Sequence, residues 1–525
     1  MNEPEVVLYD TTLRDGTQRE GLSLSVEDKL RIVARLDDLG IDYVEGGFPG
    51  SNPKDVEFFE RAKGLKLRHA VVTAFGSTCR KDAPASEDPG IRALIESGCS
   101  AVCIFGKAWD LHVTHTLRTT LEENVRMVRD SVATLKAAGL TVFFDAEHFF
   151  DGYVRNAEYA VEVCRAAAEA GADAVVLCDT NGGRMPQEVA RITAEMVARL
   201  APVPVGIHAH NDAGCGVANS IVAVDAGATQ VQGTVNGYGE RCGNADLIAI
   251  IPALKLKMGH DVITDDELAL LTEVSHFVAE TANLAPDQHQ PYVGISSFAH
   301  KGGVHASAAD RFPAAYEHVE PGIVGNLARV VVSELAGSAS LRMKAAELGV
   351  DLSADPETAK RVLDEIKELE HRGYSFEAAD GSLEVLLRKE LGTYEPLFLL
   401  ESFRCLMEKR EDGRVTTEAT VKIHVRGKRF IATAEGNGPV NALDGALRLA
   451  LDEFYPDLAA IQLTDYKVRV LDEKKGTGAI TRVLIESADG DREWGTVGVS
   501  ENIIEASWAA LVDSIDYGLG RGSND

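Results

Sequence analysis

From residue 6 to about residue 259, short runs of β-branched and aromatic residues alternate with longer stretches whose apolar positions recur at helical spacing. The strand-like runs are 6–10, 43–48, 69–75, 101–105, 141–145, 174–178, 205–210 and 230–235. The helical stretches between and after them are 25–39, 53–62, 89–97, 121–138, 157–170, 186–200, 217–226 and 246–258. Several helices run directly into a glycine, at Gly40, Gly98, Gly139 and Gly171, where a left-handed C-cap ends a helix cheaply. Strand and helix in strict alternation imply parallel pairing. Eight such units in about 255 residues predict closure into an α/β (β/α)8 TIM barrel rather than an open sheet.

The pattern changes after residue 260. Helical stretches at 265–282 and 356–370 flank a Gly-, His- and Ser-rich segment at 294–308, too irregular for a barrel. From residue 398 strands dominate, at 414–425, 429–435, 466–471, 480–486 and 493–499. Residues 428–447 can be laid on 492–511 at an offset of 64, each reading strand, tight turn and Ala-rich helix, which suggests two halves of one α+β domain. The expected division is a catalytic barrel at 1–260, a helical linker subdomain completing the site at 261–395, and an α+β regulatory domain at 396–525.

Composition narrows the function classes. The chain has 525 residues and a formal charge of −29, divided as −18 over residues 1–340 and −11 over 341–525. An acidic surface spread over the whole length repels phosphate backbones and anionic lipid, so neither nucleic acid nor membrane is expected as a partner. An acidic, non-apolar N-terminus gives no signal-peptide pattern, and no apolar run reaches membrane-spanning length, so the expected location is cytoplasmic. The eight cysteines are scattered without a C-x-x-C pair and read as free thiols.

Candidate chemistry collects at the ends of the strands. The first strand ends in Asp10-Thr11-Thr12-Leu13-Arg14-Asp15-Gly16 and the seventh in His208-Ala209-His210-Asn211-Asp212. Strand period two puts His208 and His210 on one face, and barrel active sites lie at the C-terminal strand ends. Two imidazoles and the Asp15 carboxylate make a facial donor set for a divalent metal, with Asn244 in the loop after the eighth strand as an additional candidate. Arg14 beside Asp15 suits an α-keto acid or a developing alkoxide. Glu147 after the fifth strand is a candidate acid–base group, and Thr180 after the sixth a hydrogen-bond donor to a carboxylate. Phe75 and Phe105, at the ends of the third and fourth strands, can restrict the pocket to a small side chain. Neither strand end offers Arg or His for a second substrate carboxylate.

The D-T-T-L-R-D-G run, the H-A-H-N-D run and Gly237-Tyr238-Gly239-Glu240-Arg241-Cys242-Gly243-Asn244 together resemble the metal-dependent acyl-CoA-condensing barrels. These are the 2-isopropylmalate, homocitrate and citramalate synthases, with 3-hydroxy-3-methylglutaryl-CoA lyase as a cousin. The resemblance continues through Lys301-Gly302-Gly303-Val304-His305 to Glu435-Gly436-Asn437-Gly438-Pro439-Val440-Asn441-Ala442, which looks like the dimeric regulatory domain of the leucine-pathway synthases. Residues 45–55 and 144–153 are most similar to the citramalate synthases.

That resemblance implies condensation of acetyl-CoA with pyruvate and water to (R)-citramalate and CoA, in isoleucine biosynthesis. It implies a metal, Mn²⁺ or Mg²⁺ with Zn²⁺ or Co²⁺ as other options, on Asp15, His208, His210 and Asn244. Arg14 and Thr180 would bind the keto acid. Glu147 and His305 would enolise the acetyl group, with Tyr316 assisting. The site would need a homodimer, and isoleucine would act as feedback effector. Cys242, where isopropylmalate-type relatives carry alanine, reads as a neutral change. The nearest competing reading is a 2-isopropylmalate synthase acting on 2-oxoisovalerate. A non-enzymatic amino-acid sensor on a decayed barrel is disfavoured because the candidate site residues are all present.

Overall fold

The structure, a computed structural model, describes residues 6–300, 312, 316–330, 332, 338–352, 356–471, 478–490 and 492–520. It falls into two compact units, one of residues 1–298 with 319–328 and one of 299–318 with 329–525.

The first unit is the expected barrel. Strands β1 (Val7–Asp10), β2 (Tyr43–Gly47), β3 (Val71–Ser77), β4 (Ala101–Lys107), β5 (Thr141–Glu147), β6 (Ala174–Asp179), β7 (Val205–Ala209) and β8 (Gln230–Gly233) pair in chain order, and β8 closes in parallel on β1. Alternation along each strand sorts the side chains into two cores. Leu8, Ala74, Val102, Ile104, Phe144 and Val175 pack outward against the helices. Tyr9, Phe75, Cys103 and Phe143 fill the barrel interior, with Phe143 edge-on to Tyr9 at 5.6 Å and to Tyr43 at 4.8 Å.

The surrounding helices start and stop where their sequence says. Helix Val26–Asp38 opens on a reciprocal Ser25/Asp28 capping box, buries Val26, Leu30, Val33 and Leu36, and gives way to Gly40 at φ +85°. Several strand ends differ from expectation by one or two residues. β3 starts two residues late because the Asp37 carboxylate accepts the backbone N–H groups of Arg68, His69 and Ala70, which diverts them from the sheet. β4 runs two residues further, to Lys107, because it stays paired with β5 up to Glu147. A short helix, Phe149–Arg155, follows β5 where a loop was expected. The stretch read as one helix at 265–282 is two, Asp265–Leu268 and Leu271–Thr281.

The second unit carries two three-stranded antiparallel sheets, each followed by a helix. Leu399–Lys409, Val415–Val425 and Lys428–Gly436 precede helix Pro439–Leu451; Gln462–Val470, Thr481–Ala488 and Glu493–Ser500 precede helix Ile503–Gly520. The two helices begin 64 residues apart and so do the ends of the strands before them, so the internal repeat is structural. Strand Leu399–Lys409 has no alternating pattern because nearly all its side chains are exposed. Helix Asp380–Glu390 begins on Asp-Gly-Ser, a turn-like sequence. It is held from outside: the Ser382 hydroxyl accepts from the Val497 N–H at 2.9 Å and donates to Asp513 Oδ2 at 2.8 Å. All eight cysteines are free, Cys79, Cys103, Cys164 and Cys178 buried and Cys242 exposed. Among the described residues no helix is long and apolar enough to cross a membrane.

Candidate active site

The site is built at the mouth of the barrel, beginning with the turn after β1. The Asp10 carboxylate accepts the Thr12 N–H at 2.9 Å and the Thr12 hydroxyl at 2.7 Å, and the Thr12 oxygen accepts the Val235 N–H at 2.8 Å. The loops after β1 and β8 are thereby tied together. Burial pushes Asp10 up to about 7, an indication of how little water reaches this turn.

Asp15 follows from that turn and meets the two histidines of β7. Its Oδ2 lies 3.2 Å from His208 Nε2 and 3.8 Å from His210 Nε2, and the two Nε2 atoms are 3.2 Å apart. All three residues are buried, and their donor atoms converge within 4.8 Å, the arrangement needed to hold one metal ion. Burial would raise the Asp15 carboxyl, but Arg14 and then the two imidazoles outweigh it and hold it well below the usual range. Burial, reinforced by His208, pushes His210 down to about 3, so it is a neutral donor at neutral pH.

The fourth candidate, Asn244, donates from Nδ2 to Asp15 Oδ2 at 2.8 Å, while its buried Oδ1 has no hydrogen-bond partner. Gly239 leaves space for this side chain: a Cβ there would sit 2.0 Å from Asn244 Oδ1. An orphaned, buried amide oxygen beside a carboxylate and two imidazoles fits a cation-binding role.

Arg14 is fixed on three sides. Its Nε donates to the buried Glu45, its Nη1 lies 3.2 Å from Asp15 Oδ1, and its guanidinium lies 3.8 Å over the Phe75 ring. Glu45 is itself held by the Tyr9 hydroxyl at 2.9 Å. The rest of Arg14 lines a cavity of about 450 Å³ with Leu13, Gln18, Phe48, Phe75 and Phe105. Phe75 stacks on Phe105 at 5.4 Å and meets Phe48 edge-on at 5.9 Å, an aromatic wall next to the guanidinium.

Glu147 and Thr180 take the neighbouring strand ends. The Thr180 hydroxyl oxygen accepts the His148 N–H at 2.8 Å, which leaves its proton to donate. Glu147 is paired with Lys107, its register partner on β4. The structure thus brings Arg14, Asp15, His208, His210 and Asn244 together, with Glu147 and Thr180 at the ends of β5 and β6. His305 lies outside the described residues, and Tyr316, exposed, belongs to the second compact unit. Sequence reading missed Lys107, because β4 was ended at Phe105; continuing the strand period by two would have reached it. It also missed Glu45 and the buried Gln232, whose neighbours come from other strands.

Comparison with known proteins agrees with this architecture. An HMGL-like family model matches residues 5–278, a homocitrate synthase post-HMGL domain-like model 292–374, and a LeuA allosteric (dimerisation) domain model 377–519. The chain is 53% identical to the (R)-citramalate synthase of Streptomyces coelicolor, covering 98% of this chain and 96% of that one. It is 54% identical to the (R)-citramalate synthase of Aquifex aeolicus, covering 98% of each. A probable 2-isopropylmalate synthase of Methanopyrus kandleri is more distant, 33% identical over 97% of this chain and 98% of its own.

Proposed function

This chain belongs to the (R)-citramalate synthases within the HMGL-like family, and on that premise we propose that it condenses acetyl-CoA with pyruvate and water, releasing (R)-citramalate and CoA, for isoleucine biosynthesis. The observation that carries the reading is Arg14, pinned by Glu45 and Phe75 beside the Asp15–His208–His210 group and lining a cavity walled by aromatic rings.

Asp15, His208 and His210, with Asn244, would hold a divalent metal, Mn²⁺ or Mg²⁺, which when bound supplies Lewis-acid polarisation of a keto oxygen. Arg14 offers fixed positive charge to the keto acid, and the Thr180 hydroxyl donates to its carboxylate. An acetyl thioester methyl is a weak carbon acid, so its proton needs a placed base. Glu147 takes it, leaving an enolate carbon to attack the pyruvate carbonyl carbon. The carbonyl oxygen becomes an alkoxide beside Arg14 and is then protonated. Water cleaves the thioester of the citramalyl adduct, CoA leaves as the thiol, and the condensation becomes irreversible. His305 and Tyr316, from the linker, assist enolisation, and the assembly is a cytoplasmic homodimer. Residues 1–260 supply catalysis, 261–395 complete the site, and 396–525 regulate.

The keto-acid choice follows from the aromatic wall. The Phe75–Phe105 stack beside Arg14 supports a preference for the methyl of pyruvate over the isopropyl of 2-oxoisovalerate, a difference of about 1–3 kcal/mol per methylene. The test is CoA release with pyruvate, 2-oxobutyrate and 2-oxoisovalerate, with and without Mn²⁺ or Mg²⁺. Metal-dependent turnover that favours pyruvate is expected; equal or faster turnover of 2-oxoisovalerate would replace this reading with isopropylmalate synthesis.

A further inference from the structure

Inside the barrel, one hydrogen-bonded chain crosses from β5 to β8 and ends on a histidine of β7. Asp145 Oδ1 accepts from Gln232 Nε2 at 3.0 Å, and Gln232 Oε1 lies 2.8 Å from His208 Nδ1. All three side chains are buried, and Gln232 is completely so, which removes water as an alternative partner. Register supports the last link, because Gln232 and His208 stand side by side on β8 and β7.

The chain has a direction. A carboxylate oxygen accepts, so the nitrogen end of the Gln232 amide faces Asp145 and the oxygen end faces His208. An amide oxygen can only accept, so His208 Nδ1 carries a proton and donates it. In the neutral imidazole the lone pair then resides on Nε2, the atom that faces Asp15. One further contact agrees: Asn244 Nδ2 lies 3.3 Å from His208 Nε2 and can donate to it. His208 Nε2 lies 3.2 Å from Asp15 Oδ2, so a cation held by that carboxylate is within reach of the Nε2 lone pair. His210 has no such amide anchor; its Nδ1 lies 3.3 Å from Arg241 Nη2.

We propose that Gln232, oriented by Asp145, is a positioning residue that fixes His208 as an Nε2 donor to the divalent metal. The proposal rests on the metal reading given above. It assigns a role to a glutamine buried inside the barrel, and it makes the cross-barrel link from β5 part of the metal site. A hydrogen-bond partner of this kind typically controls 10- to 100-fold in metal affinity.

The experiment is a Mn²⁺ titration of the full chain, following free Mn²⁺ by electron paramagnetic resonance, with circular dichroism and melting temperature recorded for every variant. Gln232→Leu should bind Mn²⁺ about 10- to 100-fold more weakly while keeping its fold. The double variant Asp145→Asn/Gln232→Glu exchanges acid and amide, keeps an acceptor facing Nδ1, and should recover most of the lost affinity. A folded Gln232→Leu protein with parental Mn²⁺ affinity overturns the positioning role and leaves the metal reading standing. Absence of Mn²⁺ binding by the unsubstituted chain overturns both. If Gln232→Leu does not fold, the double variant decides alone: near-parental affinity supports the proposal, and loss with the fold retained overturns it.

Discussion

Lys107 and Glu147 face each other across the ends of β4 and β5, and their side chains form an ion pair at the barrel mouth. If Glu147 is the proposed acid–base group, such a partner gives its flexible side chain direction, and small misplacements of reacting groups are costly. Lys107→Met should lower kcat by about 10- to 100-fold with little change in the pyruvate KM, measured by steady-state CoA release. An equal rise in KM with kcat unchanged would mean that Lys107 binds substrate instead. A second residue-scale consequence lies in the second compact unit. Asp516 is buried, accepts from the Tyr394 hydroxyl, and leaves Oδ1 without a partner, and burial raises its carboxyl to about 6. The native state therefore holds this proton more tightly than the unfolded chain does. Its stabilising contribution is complete below about pH 4 and is lost as pH rises through about 6, on the order of 3 kcal/mol. Asp516→Asn should raise the melting temperature at pH 8 and leave it nearly unchanged at pH 4. A gain confined to acid pH would reverse the assignment.

Elements were read well where their period and punctuation agreed, and less well where a neighbour supplied the stabilisation. The barrel strands and their helices follow from alternation and glycine stops, and the repeat in the second unit from a weak pattern that the two strand–helix pairs reproduce. Helix Asp380–Glu390 escaped notice because its start resembles a turn and becomes a helix start only under strand Glu493–Ser500, where a Cβ at Gly381 would meet Gly495 O at 3.0 Å. The Gly237–Asn244 loop was legible as a motif, but its purpose was not. Gly239 makes room for the Asn244 amide, so Gly239→Ala should displace that side chain. The expected result is about tenfold weaker Mn²⁺ binding with a melting temperature close to the parent, by titration and differential scanning fluorimetry. Unchanged Mn²⁺ binding would exclude Asn244 from the metal site.

At the scale of the whole molecule, the −29 charge describes a solvated surface, while Arg14 and the buried Asp15, His208 and His210, a group that could hold a metal ion, collect at one barrel mouth. The LeuA allosteric (dimerisation) domain match at 377–519 indicates oligomer formation, and Leu406, Met407 and Ile431 remain 64%, 63% and 54% exposed in the first sheet of that region. Isoleucine added to the full chain should bind, measured by isothermal titration calorimetry, and lower CoA release. Leucine and valine should do so less; failure of isoleucine to bind would remove it as effector. The sequence by itself determined the barrel, because eight strand–helix units with short connections leave parallel closure as the way to bury every strand. It also determined which faces carry polar groups, because a strand's period of two assigns His208 and His210 to one side. Only the tertiary structure decided distances. Strand period says which way a side chain points, but barrel closure sets what it meets there: Lys107 against Glu147, Asn244 beside Asp15, and Asp145 reaching across the interior through Gln232 to His208.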